Sequence, residues 1–118
     1  MAANPALRPV EVRVKSVDKL FETIVFVSGP ITLATAVPLR NKILDLIPQY
    51  RRIVLDLSNV DYVDCSGLGI LVAAYTHAKG NHCEVEIANP KPRLWHRLRN
   101  WLGEVFEGHE EMLGMTPD

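Results

Sequence analysis

Cysteine is scarce in this chain. Cys65 and Cys83 are the only two among 118 residues. Two thiols make no disulfide framework, so a reducing, cytoplasmic setting is expected. Long apolar runs are missing as well. No stretch of about eighteen consecutive apolar residues occurs, which excludes a membrane-spanning helix. The opening Met1-Ala2-Ala3-Asn4-Pro5 lacks the charged-then-apolar order of a signal peptide. Nor is there a surplus of charge. The formal net charge is −1, so no general attraction to nucleic acid or a membrane surface follows.

The common catalytic motifs fail at identifiable positions. A nucleophile elbow centred on Ser66 needs glycine two residues earlier, where Asp64 stands. A dinucleotide fingerprint built on Gly67 and Gly69 needs Gly or Ala at 72, where Val72 stands. No phosphate-loop sequence with its Gly-Lys-Ser/Thr ending occurs. A cysteine phosphatase built on Cys65 wants arginine six residues on, where Leu71 stands. The four histidines, His77, His82, His96 and His109, have no ligand spacing and read as solvated surface groups. Asp56, Asp61 and Asp64 match no calcium loop and read as turn and cap residues. No cofactor or metal is expected.

What the chain does have is apolar patterning. A hydrophobic content of 47% is enough for one domain with a real core. Residues 1–9 hold two prolines and little periodicity and read as a flexible N-terminal tail, with one domain over 10–118. Val10 to Lys15 alternates as a half-exposed strand does. Thr23 to Val27 is a denser strand, ended by Gly29-Pro30. Thr35 is placed to cap a helix from Ala36 to about Leu46. Ile53 to Leu57 is a central strand. A helix runs from Ser66 to about Lys79, with Gly80 as its C-terminal glycine. Val85 to Ala88 is a further strand, and Arg93 to Leu102 a helix stopped at Gly103. Val105-Phe106 reads as a short edge strand and Glu110 to Met115 as a last helical turn. Strands alternating with helices predict an α/β domain. Its sheet is mixed but largely parallel, of four to five strands, with helices packed against it.

The most informative stretch is Asp64-Cys65-Ser66-Gly67-Leu68-Gly69. It puts a serine at a helix N-terminus, where backbone N–H groups lack partners. Serine is a favoured N-cap. Gly67 and Gly69 leave the first turn open to a phosphate or to another protein. Ser66 is thus either a plain cap or the acceptor of a charged modification. Cys65 reads as a small side chain beside the turn, although a helix N-terminus lowers a thiol pKa. Farther along, Lys91, Arg93, His96, Arg97 and Arg99 surround an apolar set of Leu94, Leu98, Trp101 and Leu102 at helical spacing. That basic face is either solvated or a docking surface for an acidic partner.

The run Ile53 to Gly69, with its Leu55-Asp56-Leu57 strand end and Asp64-Cys65-Ser66-Gly67-Leu68-Gly69 helix start, resembles the signature of STAS domains. It is most similar to that of anti-sigma factor antagonists, whose motif is Asp-Ser-Ser-Gly-Leu-Gly. Ala88-Asn89-Pro90 followed by Leu94 and Leu98 is similar to the family's later segment. The resemblance spans about residues 10–115. It implies a STAS-type fold and a non-enzymatic module that sequesters an anti-sigma factor. That partner is also the serine kinase that phosphorylates the second serine of the motif, here Ser66. A phosphatase restores binding. Cys65 replaces the motif's first serine, and Asp64 matches its aspartate. Gly29-Pro30-Ile31-Thr32 departs from the family's Gly-x-Leu-Asp, so Thr32 stands where a partner-facing aspartate is usual. The partner surface implied is Thr32, Asp64, Cys65, Ser66, Gly67, Leu68 and Gly69. Direct nucleic-acid contact and a membrane span are not implied, and the expected state is a monomer or weak dimer.

Two other classes stay open. One is a STAS accessory subunit of a transporter or signalling scaffold, docking through 64–69 without phosphorylation. The other is an enzyme using Cys65, which needs a nearby base. A disulfide between Cys65 and Cys83 is not expected. A helix of about 14 residues is about 21 Å long and disulfide geometry allows at most about 7 Å between Cα atoms.

Overall fold

The computed structural model describes residues 13–106 and 108–114. Two strands open the chain, β1 (Arg13–Lys19) and β2 (Glu22–Ser28). Helix α1 (Ala36–Leu46), strand β3 (Arg52–Asn59), helix α2 (Cys65–Gly80) and strand β4 (Glu84–Ala88) follow. Helix α3 (Pro92–Asn100) runs on into a π-helical turn over Trp101–Val105, and a 3-10 turn spans Glu110–Leu113. The expected tail, residues 1–9, lies outside the described residues.

The four strands lie in chain order in one sheet. Strand β1 is antiparallel to β2, while β2, β3 and β4 are mutually parallel. Hence the α/β fold with a mixed, largely parallel sheet is what the alternation of elements predicts. Parallel neighbours need a crossover, and α1 and α2 supply the two crossovers.

One face of the sheet is covered. Val25 on β2, Leu55 on β3 and Ile87 on β4 stand level across the ladder, and all three are buried. They meet Leu39 and Ile43 of α1 and Leu68 and Leu71 of α2 in one core. The period of two in each strand and of three to four in each helix produces that core directly. The other face carries Ile24, Phe26, Val54 and Asp56 and is half open.

Four local expectations are corrected. Strand β1 runs on to Lys19 because it pairs with β2 through a two-residue turn, Leu20-Phe21, and Phe21 takes a left-handed φ of 64°. Neither residue is a usual turn former, so the turn carried no sequence signal. Val105-Phe106 is no strand. The helical rod passes through Gly103 as a π turn, and the Phe106 N–H donates to the Trp101 carbonyl at 2.8 Å. Gly80 is the last residue of α2 and not its left-handed cap. That place belongs to His82, with φ 60°. Cys83 N–H donates to Ala78 and His82 N–H to Lys79, the paired bonds of a Schellman ending. The last turn covers Glu110–Leu113, while Met115 is outside the described residues.

Candidate functional site

Loops that follow parallel strands collect at the strands' C-terminal ends. Here the loop after β2 and the loop after β3 do more than collect. Ile31 and Val63 form a parallel bridge. The Ile31 N–H donates to the Tyr62 carbonyl at 2.8 Å, and the Asp64 N–H donates to the Ile31 carbonyl at 3.0 Å. Both side chains, Ile31 and Val63, are fully buried. The sheet is in effect extended by one rung beyond β2 and β3, and α2 starts from that rung.

The start of α2 differs from the sequence expectation. Asp64, not Ser66, is the N-cap. Its Oδ1 accepts the Gly67 N–H at 2.6 Å, the usual bond from a cap to the third helical residue. Cys65 and Ser66 are therefore the first and second residues of the helix, and both are exposed. The Ser66 hydroxyl makes no hydrogen bond to the described residues. Capping falls to a carboxylate, which also suits the helix's positive end.

Gly67 has a different task from the one its sequence position suggests. A Cβ added there would lie 2.4 Å from the Ile31 carbonyl oxygen. The glycine thus clears space for the chain's own β2–α1 loop, and it is buried. Leu68 is fully buried and anchors the helix start in the core. At Gly69 an added Cβ would meet only the Phe106 ring, at 4.0 Å. The accessible surface of the six-residue motif is therefore Cys65 and Ser66, with Asp64 and Gly69 half exposed.

Thr32 lies half exposed in the adjacent loop. Its hydroxyl pairs with that of Thr35 at 3.2 Å. Thr35, expected as a helix cap, makes no side-chain cap bond. Its Oγ1 accepts the Thr32 N–H at 2.9 Å and donates to the Pro30 carbonyl at 2.5 Å, so it closes the 30–35 turn. The structure brings Thr32 and 64–69 onto one end of the sheet, because Ile31 is bonded to both Tyr62 and Asp64.

The three aspartates act separately. Asp56 accepts from Ser58 N–H at 2.9 Å, from Ser58 Oγ at 2.6 Å and from Asn89 Nδ2 at 3.0 Å. Burial pulls its carboxyl upward, but the bonds from Ser58 and Asn89 outweigh burial and leave the pKa below its ordinary value. Asp61 pairs with Lys91, and Asp64 caps α2. Among the described residues no group of three His, Cys, Asp or Glu could hold a metal ion. Both cysteines are free. Cys65 is exposed, whereas Cys83 is buried and its thiol is pushed up by burial and then by Glu84.

The sequence reading missed Tyr62. Its ring is exposed beside the motif, with the Arg97 guanidinium 5.9 Å from its centroid. The signal was available. Val60 and Val63 are the buried positions of that loop, so the aromatic between them faces outward. A cavity of about 550 Å³ opens elsewhere, between the second half of α2, β4 and the 3-10 turn. Its walls include Tyr75, Lys79, Glu84, Glu86 and Glu111, and no residue of the 64–69 motif.

Comparison with known proteins bears on this geometry. The STAS domain profile matches residues 11–101. A STAS-domain containing protein of Pseudomonas aeruginosa is 41% identical over 44 residues, 37% of this chain. The match spans 44% of that relative's length. An anti-sigma factor antagonist from Mycobacterium paratuberculosis has TM-score 0.61 at 26% identity, over 78% of this chain and 80% of its own. The murine Solute Carrier 26 family member A9 anion transporter, in its inward-facing state, has TM-score 0.65 at 17% identity. That likeness covers 79% of this chain and 16% of the transporter, and it speaks to the fold alone. Among the described residues no helix is long and apolar enough to cross a membrane. With the profile matched over most of its length, this chain belongs to the STAS domain family.

Proposed function

We propose that the chain is an anti-sigma factor antagonist whose binding is switched off by phosphorylation of Ser66. One observation carries the reading. An exposed hydroxyl stands at the second position of α2, while Asp64 performs the capping that would otherwise engage it. The likeness to the mycobacterial antagonist, over 80% of that chain, supports the same reading.

The chemistry is consistent. A phosphoserine carries about −1.5 to −2 charges at pH 7. At a helix N-terminus that charge is locally favourable, so the fold tolerates it. Inside a docked interface it meets desolvation and like-charge repulsion, and Asp64 lies two residues away. A penalty of about 1.4 kcal/mol already weakens binding tenfold. The partner supplies the kinase activity, so this chain needs no catalytic base. The partner surface is Thr32, Asp64, Cys65, Ser66 and Gly69, with Gly67 and Leu68 holding it from beneath. The reading sets the chain in the cytoplasm, with an ATP-dependent serine kinase as partner and a phosphatase to reset it.

Phosphopeptide mapping after incubation with the cognate kinase and ATP tests the proposal. Phosphate on Ser66 is expected. Ser66→Ala stays folded and bound, and Ser66→Asp binds more weakly. Phosphate only at other residues, or none, would sink it. A second reading draws on the superposition with the murine transporter: an accessory STAS subunit that docks through the same loop. It differs in one respect, for Ser66 then accepts no phosphate.

A further inference from the structure

Tyr62 is where the helical rod after β4 meets the candidate site. Its carbonyl accepts the Ile31 N–H at 2.8 Å, so it belongs to the same rung as Asp64, and its ring is exposed. Two contacts tie the rod to this loop. Lys91, just before α3, pairs with Asp61, and the Arg97 guanidinium lies 5.9 Å from the Tyr62 centroid. The same guanidinium is 4.7 Å from the Trp101 centroid. One cation thus serves two rings.

Arg93, Arg97 and Trp101 follow one another at a spacing of four, on one side of the rod. Leu94, Leu98 and Leu102 take the buried side. Arg93 and Arg97 are exposed, and neither forms an ion pair among the described residues. The acids of the adjoining loop are engaged elsewhere, Asp61 with Lys91 and Asp64 with the Gly67 N–H. Thr32 brings only a neutral hydroxyl, bonded to Thr35. Two cations beside the site are therefore left without a counter-charge.

Tyr, Trp and Arg are the residue types that carry most of the binding energy at protein interfaces. The two rings restrict the Arg97 guanidinium, so little side-chain freedom is lost when its N–H fork meets a carboxylate. Rings that already carry a cation offer no stacking platform for nucleic-acid bases. The net charge of −1 gives no long-range pull toward a polyanion. We propose that Tyr62, Arg97 and Trp101 extend the partner surface of the 64–69 loop, and that the kinase partner presents an acidic face there with a carboxylate on Arg97. The inference rests on the proposed function for the identity of the partner and adds the charge of its docking face.

Titration of the unphosphorylated chain against that kinase, without ATP, tests it. Arg97→Glu weakens binding about a hundredfold at about 50 mM NaCl, through like charges brought together. At about 500 mM NaCl the gap to wild type narrows to about tenfold. Arg97→Lys keeps the charge but loses the planar fork, and binds about fivefold more weakly than wild type. Arg99→Glu is the control for net charge. Arg99 lies on the other side of the helix, 5.2 Å from the Trp95 centroid, and its reversal leaves binding unchanged. Reversal of one exposed acid on the kinase to Lys restores binding of Arg97→Glu. Thermal melting of each variant confirms that it is folded, and Tyr62→Ala, which removes a ring from beneath Arg97, gives a second measure. Arg97→Glu that binds like wild type, or loses no more than Arg99→Glu, overturns the inference and leaves the Ser66 switch standing. Ser66→Asp that binds like wild type while Arg97→Glu does not removes the switch and keeps the acidic partner. A loss equal at both salt concentrations overturns the inference, since shape and not charge is then at work. So does binding of heparin or anionic vesicles that Arg97→Glu abolishes while kinase binding is kept. A kinase that does not bind the wild-type chain overturns both readings.

Discussion

At its first turn α2 is packed against another loop of the chain. Gly67 lies beneath the Ile31 carbonyl, the Asp64 N–H is bonded to that same carbonyl, and the Asp64 side chain closes the turn. At its last turn the helix is finished by its own backbone. Cys83 and His82 donate to Ala78 and Lys79, and Asn81 reaches back to the His77 carbonyl at 2.8 Å. Tertiary packing sets the first end and local chain geometry sets the second. The difference explains why the Ser66 hydroxyl is left exposed at the first turn. With the cap and the close approach assigned to Asp64 and Gly67, Ser66 contributes nothing to the first turn that the fold would miss.

Gly67→Ala gives the largest effect and breaks the first end. Its Cβ would lie 2.4 Å from a backbone oxygen that cannot swing aside, so the Ile31–Val63 rung must open. A loss of about 3 kcal/mol is expected in urea unfolding. Gly69→Ala is the control. There the new methyl meets only a ring at 4.0 Å, and the helix gains about 1 kcal/mol from the better residue. Equal losses at both glycines would mean that chain flexibility, not the approach to Ile31, is what the motif protects.

The fold was legible in the sequence because periodicity reports burial directly. Val25 and Val27, Ile53, Leu55 and Leu57, and Val85 and Ile87 alternate as core positions, and the structure buries all of them. The site was legible only as a segment. A favoured cap residue at 66 looked like the cap, yet Asp64 two residues earlier is equally favoured, and only the path of the chain out of Val63 decides between them. Gly67 looked like room for a visitor because the Ile31 carbonyl comes from a segment more than thirty residues away. The Leu20-Phe21 turn and the His82 ending were illegible for one reason. In both, a residue with a side chain holds a left-handed conformation that sequence reading reserves for glycine or asparagine.

Asp64→Ala comes next in size. Losing a carboxylate cap from a helix N-terminus costs about 1 kcal/mol, and the Gly67 N–H loses its partner. Ser66→Ala should stay within about 0.5 kcal/mol of wild type, as exposed substitutions generally do. Thermal unfolding of the two variants side by side checks the pair. A Ser66→Ala chain as destabilised as Asp64→Ala would restore Ser66 to the role of cap.

The second end can be improved where the first cannot. His82 holds φ 60° with a full side chain, and His82→Gly removes that strain. A gain of about 0.5–1 kcal/mol is expected, net of the glycine's added freedom when unfolded. Urea midpoints at equal slope measure it. A loss instead would show that the His82 ring does more than fill the position.

The smallest effect is one of pH, and it too is confined to the second end. Tyr75, in the second half of α2, donates its hydroxyl to Glu111 Oε2 at 2.8 Å, and Lys79 Nζ lies 3.4 Å from the same oxygen. Burial, then the bond to Glu111, pushes the Tyr75 phenol up to about 12. The bond from Tyr75, then that from Lys79, holds the Glu111 carboxyl below its ordinary value. The signs follow from those directions. The Tyr75 contribution is complete below the usual phenol pKa of about 10 and fades as pH rises toward 12. The Glu111 contribution is complete above the ordinary carboxyl pKa and is lost as pH falls through the lowered value. Absorbance titration should therefore show a late tyrosinate step that Tyr75→Phe removes. Hydrogen exchange should show the last turns of α2 loosening at alkaline pH before the Asp64 turn does. Simultaneous loosening of both ends would mean that the two ends of α2 are not independent, and the lack of a late step would mean that burial and Glu111 do not hold the Tyr75 phenol up.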